Sequence, residues 1–165
     1  MVAMLKHISI APEQQVKKGK PKVKSRAGNT TKIHLAVDGL GLPVEFEIID
    51  GEVNDYSAAP DLIARLPCAK AIVADKDYDS ECIRDQIMKK GAQAVIPRKH
   101  NSLRGNADID WGLYRYRYWV DAFARLKRYR AVATRYDKLK RNYEKLRRNY
   151  ESMVAMVCGY LWLPM

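Results

Sequence analysis

The sequence predicts an α/β domain: a mixed β-sheet flanked by helices, ending in a long basic helix at the C-terminal side. Three observations predict it. Residues 33–37 and 44–48 alternate apolar with polar or small side chains on either side of a tight turn, as the two strands of a hairpin do. Residues 71–74 and 94–96 are short, continuously apolar runs of the kind found in strands buried on both faces. From Trp111 onward, apolar residues recur at helical spacing.

The elements follow in order. Residues 2–10 (VAMLKHISI) are β-permissive, and residues 11–30 read as a loop, with Pro12, Gly19, Pro21 and Gly28 among five lysines and Arg26. Ile33, Leu35 and Val37 make the first hairpin strand, D-G-L-G-L-P the turn, and Val44, Phe46 and Ile48 the second strand, alternating with Glu45 and Glu47. Ser57 to Leu66 predicts a helix, with Asp55 or Ser57 as N-cap and Pro67 just past its end. The strand Ala71 to Ala74 ends at Asp75. Ser80 caps a helix through Lys90 that Gly91 closes, and the strand Ala94 to Ile96 is stopped by Pro97 before a polar loop over 98–110. Tyr116, Trp119 with Val120, Phe123 and Leu126 share one stripe of the next helix. In the last helix Tyr136, Leu139, Tyr143, Leu146, Tyr150, Met153 and Val157 alternate spacings of three and four. That stripe docks the helix on the core or serves dimerisation; the first is the simpler use.

A chain of 165 residues is one domain by length, and 47% hydrophobic with 30% charged residues is a globular composition. Cys68, Cys82 and Cys158 have no C-x-x-C spacing, which excludes a zinc finger or a disulfide framework. The longest apolar stretch, Met153 to Met165, is too short to span a membrane and carries Gly159 and Pro164. With no apolar leader at the N-terminus, a soluble chain of the reducing cytoplasm is expected. The net charge of +11 calls for a polyanionic partner, either nucleic acid or an acidic membrane surface. It is unevenly placed: residues 6–32 carry +7, residues 33–80 carry −7, and residues 115–150 carry +10. The acidic centre fits a protein that holds divalent cations against phosphate, or else acids that decorate a solvated sheet face.

Asp75 ends a buried strand, where ligands of open α/β sheets bind. Asp77 and Asp79 follow it in D-x-D-Y-D, a crowding of charge that needs solvent or a shared cation. The plain alternative is an acidic turn that caps the next helix. Asp121 lies alone among basic and aromatic residues in YRYRYWVDAFARLKRYR, an arrangement suited to gripping DNA phosphate while the acid holds a metal, or to an isolated surface aspartate.

The blocks SRAGNTTKIHLAVDGLGLPVEFEI, GEVNDYSAAP, VADKDYDSECIRDQI, AVIPRKHNS, ATRYDKLKRNYE and NYESMVAMVCGYLWLPM, in this order over residues 25–165, closely resemble the DDE transposases of bacterial insertion sequences, most of all the insertion-sequence family five group. The resemblance implies an RNase H-like fold in which two Asp and one Glu hold two Mg²⁺. The metals activate water to nick DNA at the element's terminal inverted repeats and then direct the freed 3′-hydroxyl at target DNA. It implies DNA as the partner, a homodimer or multimer, and a cytoplasmic, DNA-associated bacterial protein. Residues 1–30 are then expected to be the basic remnant of a longer protein, and residues 31–165 the RNase H-like domain.

Carried over residue by residue, Asp75 matches the family's second acid in its D-x-G-Y-D block, with Tyr78 and Asp79 in place and Asp77 standing where the family has glycine. A left-handed backbone there would strain a non-glycine residue. The family's third acid lies in Y-x2-R-x3-E-x6-K. Tyr114, Arg117 and Asp121 fit the first three spacings, with Asp in place of Glu, and Lys127 arrives one residue early with Arg128 at the expected position. A one-residue deletion that merged Glu-Asn into Asp121 would rotate the following helix by about 100°, and the shorter acid retracts its carboxylate where catalysis tolerates about 0.5 Å. Asp75 and Asp121 are thus the expected catalytic and metal-holding residues. Tyr114, Arg117, Lys127, Arg135, Lys138, Lys140 and Arg141 are the expected DNA contacts, with Lys145, Arg147 and Arg148 on the same basic face. The first acid, expected on the first strand before a Lys-His pair such as Lys6-His7, would fall at or before Met1, and Asp38 belongs to a later block. These departures point to impaired catalysis. His34 reads as a structural residue, His100 as part of a basic loop that approaches DNA, and the three cysteines as small packing residues.

Overall fold

A computed structural model describes residues 1–10, 31–50, 53–100, 102, 104–116, 122–133 and 143–163. Five strands, β1 (Val2–Ile10), β2 (Thr31–Val37), β3 (Pro43–Asp50), β4 (Ala71–Ala74) and β5 (Gln93–Val95), form one sheet in the order β3-β2-β1-β4-β5. β1, β2 and β3 pair antiparallel, whereas β4 runs parallel to β1 and β5 parallel to β4. This is the mixed, RNase H-like sheet the sequence predicts. Its middle strand is β1, and the +7 segment joining β1 to β2 lies mostly outside the described residues. The expected boundary at residue 30 falls there too, and β1 on its near side pairs directly with β2 on its far side.

Strand alternation sorts the core into two layers. Ala3, Leu5, Ala36, Ile72 and Ala74 face one side, where they meet Ala59, Leu62 and Ile63 of helix α1 (Asp55–Arg65) and Ile83 and Ile87 of helix α2 (Glu81–Lys89). Met4, Ile33, Leu35, Val37 and Val73 face the other side, against the helices that follow residue 110. Each fully buried Leu or Ile in these layers stabilises by about 1.5–3 kcal/mol through apolar burial.

The predicted helices appear with shifted ends. α1 starts two residues before Ser57, with Asn54 at the N-cap, which places Pro60 inside the helix. Ser57 does not cap by its side chain; its hydroxyl instead donates to the Asn54 carbonyl. At the other end, the Lys90 ammonium donates to the carbonyls of Ile63 (2.6 Å), Ala64 (2.9 Å) and Leu66 (2.6 Å), a cation placed at the negative end of the helix dipole. α2 ends as predicted. Gly91 has φ 73° and, with bonds from Gly91 N to Met88 O and from Ala92 N to Ile87 O, closes a Schellman motif.

From Trp111 the described residues are helical over α3 (Trp111–Tyr116), α4 (Ala122–Lys127) and α5 (Arg130–Ala133), with a turn at Arg128 and Tyr129 between the last two. Phe123 and Leu126 are buried as predicted, but Tyr116 is exposed; Trp119 and Val120 lie outside the described residues. Asp110, unforeseen, caps α3 by accepting Leu113 N at 3.0 Å.

The C-terminal helix α6 (Tyr143–Tyr160) is docked on the sheet by its own stripe. Tyr150, Val154, Val157 and Leu161 are buried in the core and Met153 packs against it. Three polar contacts fix its height: Tyr150 Oη donates to Val132 O (2.8 Å), Arg147 to Ile48 O (3.0 Å) and Trp162 Nε1 to Pro43 O (2.7 Å). Tyr150, Met153 and Val157 of the predicted stripe are therefore used within the chain, while Tyr136, Leu139, Tyr143 and Leu146 lie outside the described side chains. Part of the stripe's regularity comes from a tandem repeat that the spacing conceals: residues 138–144 read KLKRNYE and residues 145–151 read KLRRNYE. Seven residues fall about 20° short of two helical turns, so a duplicated heptad returns nearly the same face.

Candidate active site at the end of β4

β4 delivers Asp75 to the carboxyl end of the parallel strands. Asp75 is half-buried, and its carbonyl accepts Tyr78 N at 3.0 Å, starting a 3-10 turn over Lys76–Tyr78. That turn answers the question raised by Asp77. It stands in right-handed 3-10 backbone, where φ is negative, so a glycine is not needed and the departure carries no strain. The Asp77 side chain is exposed to solvent.

Tyr78 and Asp79 fasten the turn. Tyr78 is fully buried, and its hydroxyl lies 2.6 Å from His34 Nδ1, the two rings meeting edge to face at 5.8 Å. His34, on β2, is thus the structural residue expected, and its bond reaches across β1 to the Asp75 turn. Asp79 Oδ1 accepts from Arg84 of α2 at 2.8 Å and Oδ2 accepts Lys99 N at 2.8 Å, while Arg84 also donates to Ile96 O at 2.7 Å. Burial alone would raise the Asp79 carboxyl. The Arg84 and Lys99 hydrogen bonds and the charges of Arg84 and Arg98 outweigh it and hold the group below the usual carboxylate range. Sequence reasoning noted Tyr78 and Asp79 only as motif positions; their clamping role needs partners 44 and 5 residues away.

Four of the ten acids in the −7 centre are committed to structural contacts. Asp38 Oδ1 accepts Leu40 N and Leu42 N, both at 2.9 Å, within the hairpin turn, where Gly41 has φ 82°. Glu45 and Glu47 pair with Arg65, and Asp79 with Arg84. Arg98, in the loop expected to approach DNA, is held by Glu81 at 2.5 Å and Asp108 at 3.7 Å, whereas Lys99 and His100 are exposed. Among the described residues, no group of three His, Cys, Asp or Glu side chains is placed to hold a metal ion. The strand beside β4 explains part of this. β1 pairs Val2 to Leu5 with Ala71 to Ala74, so the residue level with Asp75 is Lys6, and VAMLKHISI contains no acid at all. The donors among the described residues do not fit the two-cation centre that the resemblance implies.

The other expected site residues divide. Tyr114 is half-buried against the core with its ring edge-on to Trp111 at 5.6 Å, so it supports α3 more than it faces solvent. Lys127 is exposed at the end of α4. Arg117, Asp121, Arg135, Lys138, Lys140 and Arg141 lie outside the described residues. Cys68 and Cys82 are exposed rather than packed. Only Cys158 packs against the core, and burial pushes its thiol up to about 11.

A mixed sheet of this order, with an aspartate at the end of its inner parallel strand, defines an RNase H-like domain. Residues 6–156 match the family described as "Transposase DDE domain", and the chain belongs to that family. It is 32% identical over 136 residues to a putative transposase for insertion sequence element IS6501 from Brucella ovis, covering 81% of this chain and 98% of that protein. It is 27% identical over 121 residues to a putative transposase for insertion sequence element IS402 from Burkholderia cepacia, covering 65% of this chain and 56% of that protein. Among solved structures, a pre-cleavage Mos1 transpososome matches with TM-score 0.42 and 10% identity, over 97% of this chain and 52% of that one. The Mos1 transposase catalytic domain with Raltegravir and Mg matches with TM-score 0.38 and 12% identity, over 94% and 83%. The chain thus spans about half the length of the Burkholderia relative and of the transpososome chain. No helix among the described residues is long and apolar enough to cross a membrane.

Proposed function

We propose that this chain is a transposase-family protein that binds DNA through its basic segments but does not by itself complete metal-dependent strand cleavage and transfer. The observation that carries this reading is the absence of any carboxylate on β1, the strand that flanks Asp75. In-line phosphoryl displacement by two cations needs several carboxylates converging on one point. Here Asp38 and Asp79 are committed to a turn and to an ion pair, and Asp77 faces solvent. The charge that would hold DNA is retained, with +10 over residues 115–150. Asp75, and Asp121 on the helical side, remain the proposed remnants of the acidic set; Mg²⁺ is the cation that set would take in a complete centre.

The DNA half of the proposal is tested by fluorescence anisotropy with a labelled duplex carrying the element's inverted repeat, in EDTA, at a series of salt concentrations. Counterion release predicts that log affinity falls linearly with log salt, several phosphates being neutralised. Failure to bind even at low salt would remove DNA as the partner.

A further inference from the structure

The loop that follows β5 is strapped to α2 through one carboxylate. Glu81, the first residue of α2, places Oε1 2.5 Å from Arg98 and Oε2 3.6 Å from Arg104, so each oxygen serves a different arginine. Arg98 is built into the fold. Its side chain is 9% exposed, its amide donates to Asn106 Oδ1 at 2.8 Å, and Asp108 lies 3.7 Å from its second terminal nitrogen. Its Nε is buried and makes no hydrogen bond among the described residues, so the two carboxylates leave one donor of this guanidinium unused.

The carboxylates around this loop are held with unequal firmness. Asp79 is sealed in its nearly dry pair with Arg84. Glu81 and Arg104 are 57% and 74% exposed, where an ion pair contributes little and gives way easily. An anion that offers separate oxygens to two guanidinium groups is also what a phosphodiester is, and arginine forks match it. Residues 98–108 carry three basic side chains and one acid, a surplus of +2, and Glu81 cancels half of it. Lys99 and His100 stand exposed in the same loop.

We propose that Glu81 is a displaceable stand-in for a DNA backbone phosphate: in the free protein it bridges Arg98 and Arg104, and a phosphate takes its place when DNA binds. The loop is thereby held in shape before DNA arrives, at the expense of affinity. This rests on the DNA-binding reading above and adds where one phosphate sits and what it displaces.

The test is a titration of labelled duplex DNA with the full chain in EDTA, followed by anisotropy over a series of salt concentrations. Glu81→Gln is expected to bind about threefold to tenfold more tightly than wild type at low salt. In an Arg104→Gln background the same change is expected to gain less than about twofold, because neighbouring groups are not additive. Asp85→Asn, an equal change of charge at an exposed position of α2, is the control for net charge, and its smaller effect should be the same in both backgrounds. A Glu81→Gln chain that binds no more tightly than Asp85→Asn, or whose gain survives Arg104→Gln, overturns the proposal and leaves the DNA-binding reading standing. Absence of binding by every chain overturns both. Should Glu81→Gln lose its fold by circular dichroism, Arg104→Gln alone decides: its salt slope is expected to fall by about one, uniformly across sequences, and an unchanged slope overturns the proposal.

Discussion

Asp79→Asn isolates the contact that fastens the Asp75 turn to α2 and to the loop after β5. The Asp79 and Arg84 side chains are 12% and 6% exposed, so their ion pair is nearly dry, and Arg84 loses its charged partner in the variant while keeping its bond to Ile96 O. Breaking a buried pair from one side costs about 3–5 kcal/mol. Asparagine still offers one oxygen, which favours the lower end, about 3 kcal/mol, or about 9 °C in Tm for a chain of this size. The pH dependence gives a second handle. A carboxyl whose folded pKa lies below its unfolded value of about 3.9 contributes stability above that value and loses it as pH falls through the folded pKa. The gap between wild type and Asp79→Asn should therefore be constant above about pH 5 and narrow below about pH 4, because a protonated Asp79 resembles asparagine. Urea unfolding at pH 7, 5 and 3.5 measures it. A gap under about 0.5 kcal/mol at pH 7, the size of an ordinary surface substitution, or one that persists unchanged in acid, would refute the buried-pair reasoning.

Other outcomes follow from the same contacts. Lys90→Ala removes three hydrogen bonds to the last carbonyls of α1 and should destabilise by about 1–2 kcal/mol in thermal unfolding; Lys90→Arg should recover part of it. Tyr78→Phe takes away the buried partner of His34 Nδ1 and should cost about 1–3 kcal/mol while leaving the apolar packing in place. In iodoacetamide at pH 8, mass spectrometry should find exposed Cys68 and Cys82 modified well before Cys158, whose thiol is pushed up to about 11 by burial.

The sheet was legible because two-residue periodicity and unbroken apolar runs survive in sequence. Ile33, Leu35 and Val37 on β2, and Ile72 and Val73 on β4, occupy the core their pattern predicts. Gly91 announced the end of α2 because few other residues adopt its φ. Helix starts were less visible: Asn54, Asp55 and Ser57 are all capping residues within four positions, and tertiary contacts decide among them. The turn at Arg128 and Tyr129 has no proline or glycine to announce it. At the candidate site, the place of Asp75 after a buried run is readable in the sequence, but the level of its neighbour on β1 depends on strand register, which composition does not encode. The clamps of Tyr78 and Asp79 were hidden for the same reason, as was the commitment of Asp38, Glu45 and Glu47 to turns and ion pairs. A net charge per segment counts acids without saying which already have partners.

The central claim, a DNA-binding transposase relative whose cutting centre is incomplete, is tested most directly by incubating the chain with end-labelled DNA bearing the inverted repeats in Mn²⁺ and resolving the products on a sequencing gel. The account predicts DNA that is bound but uncut. Specific 3′-hydroxyl ends that require Mn²⁺ and vanish in Asp75→Ala would contradict it.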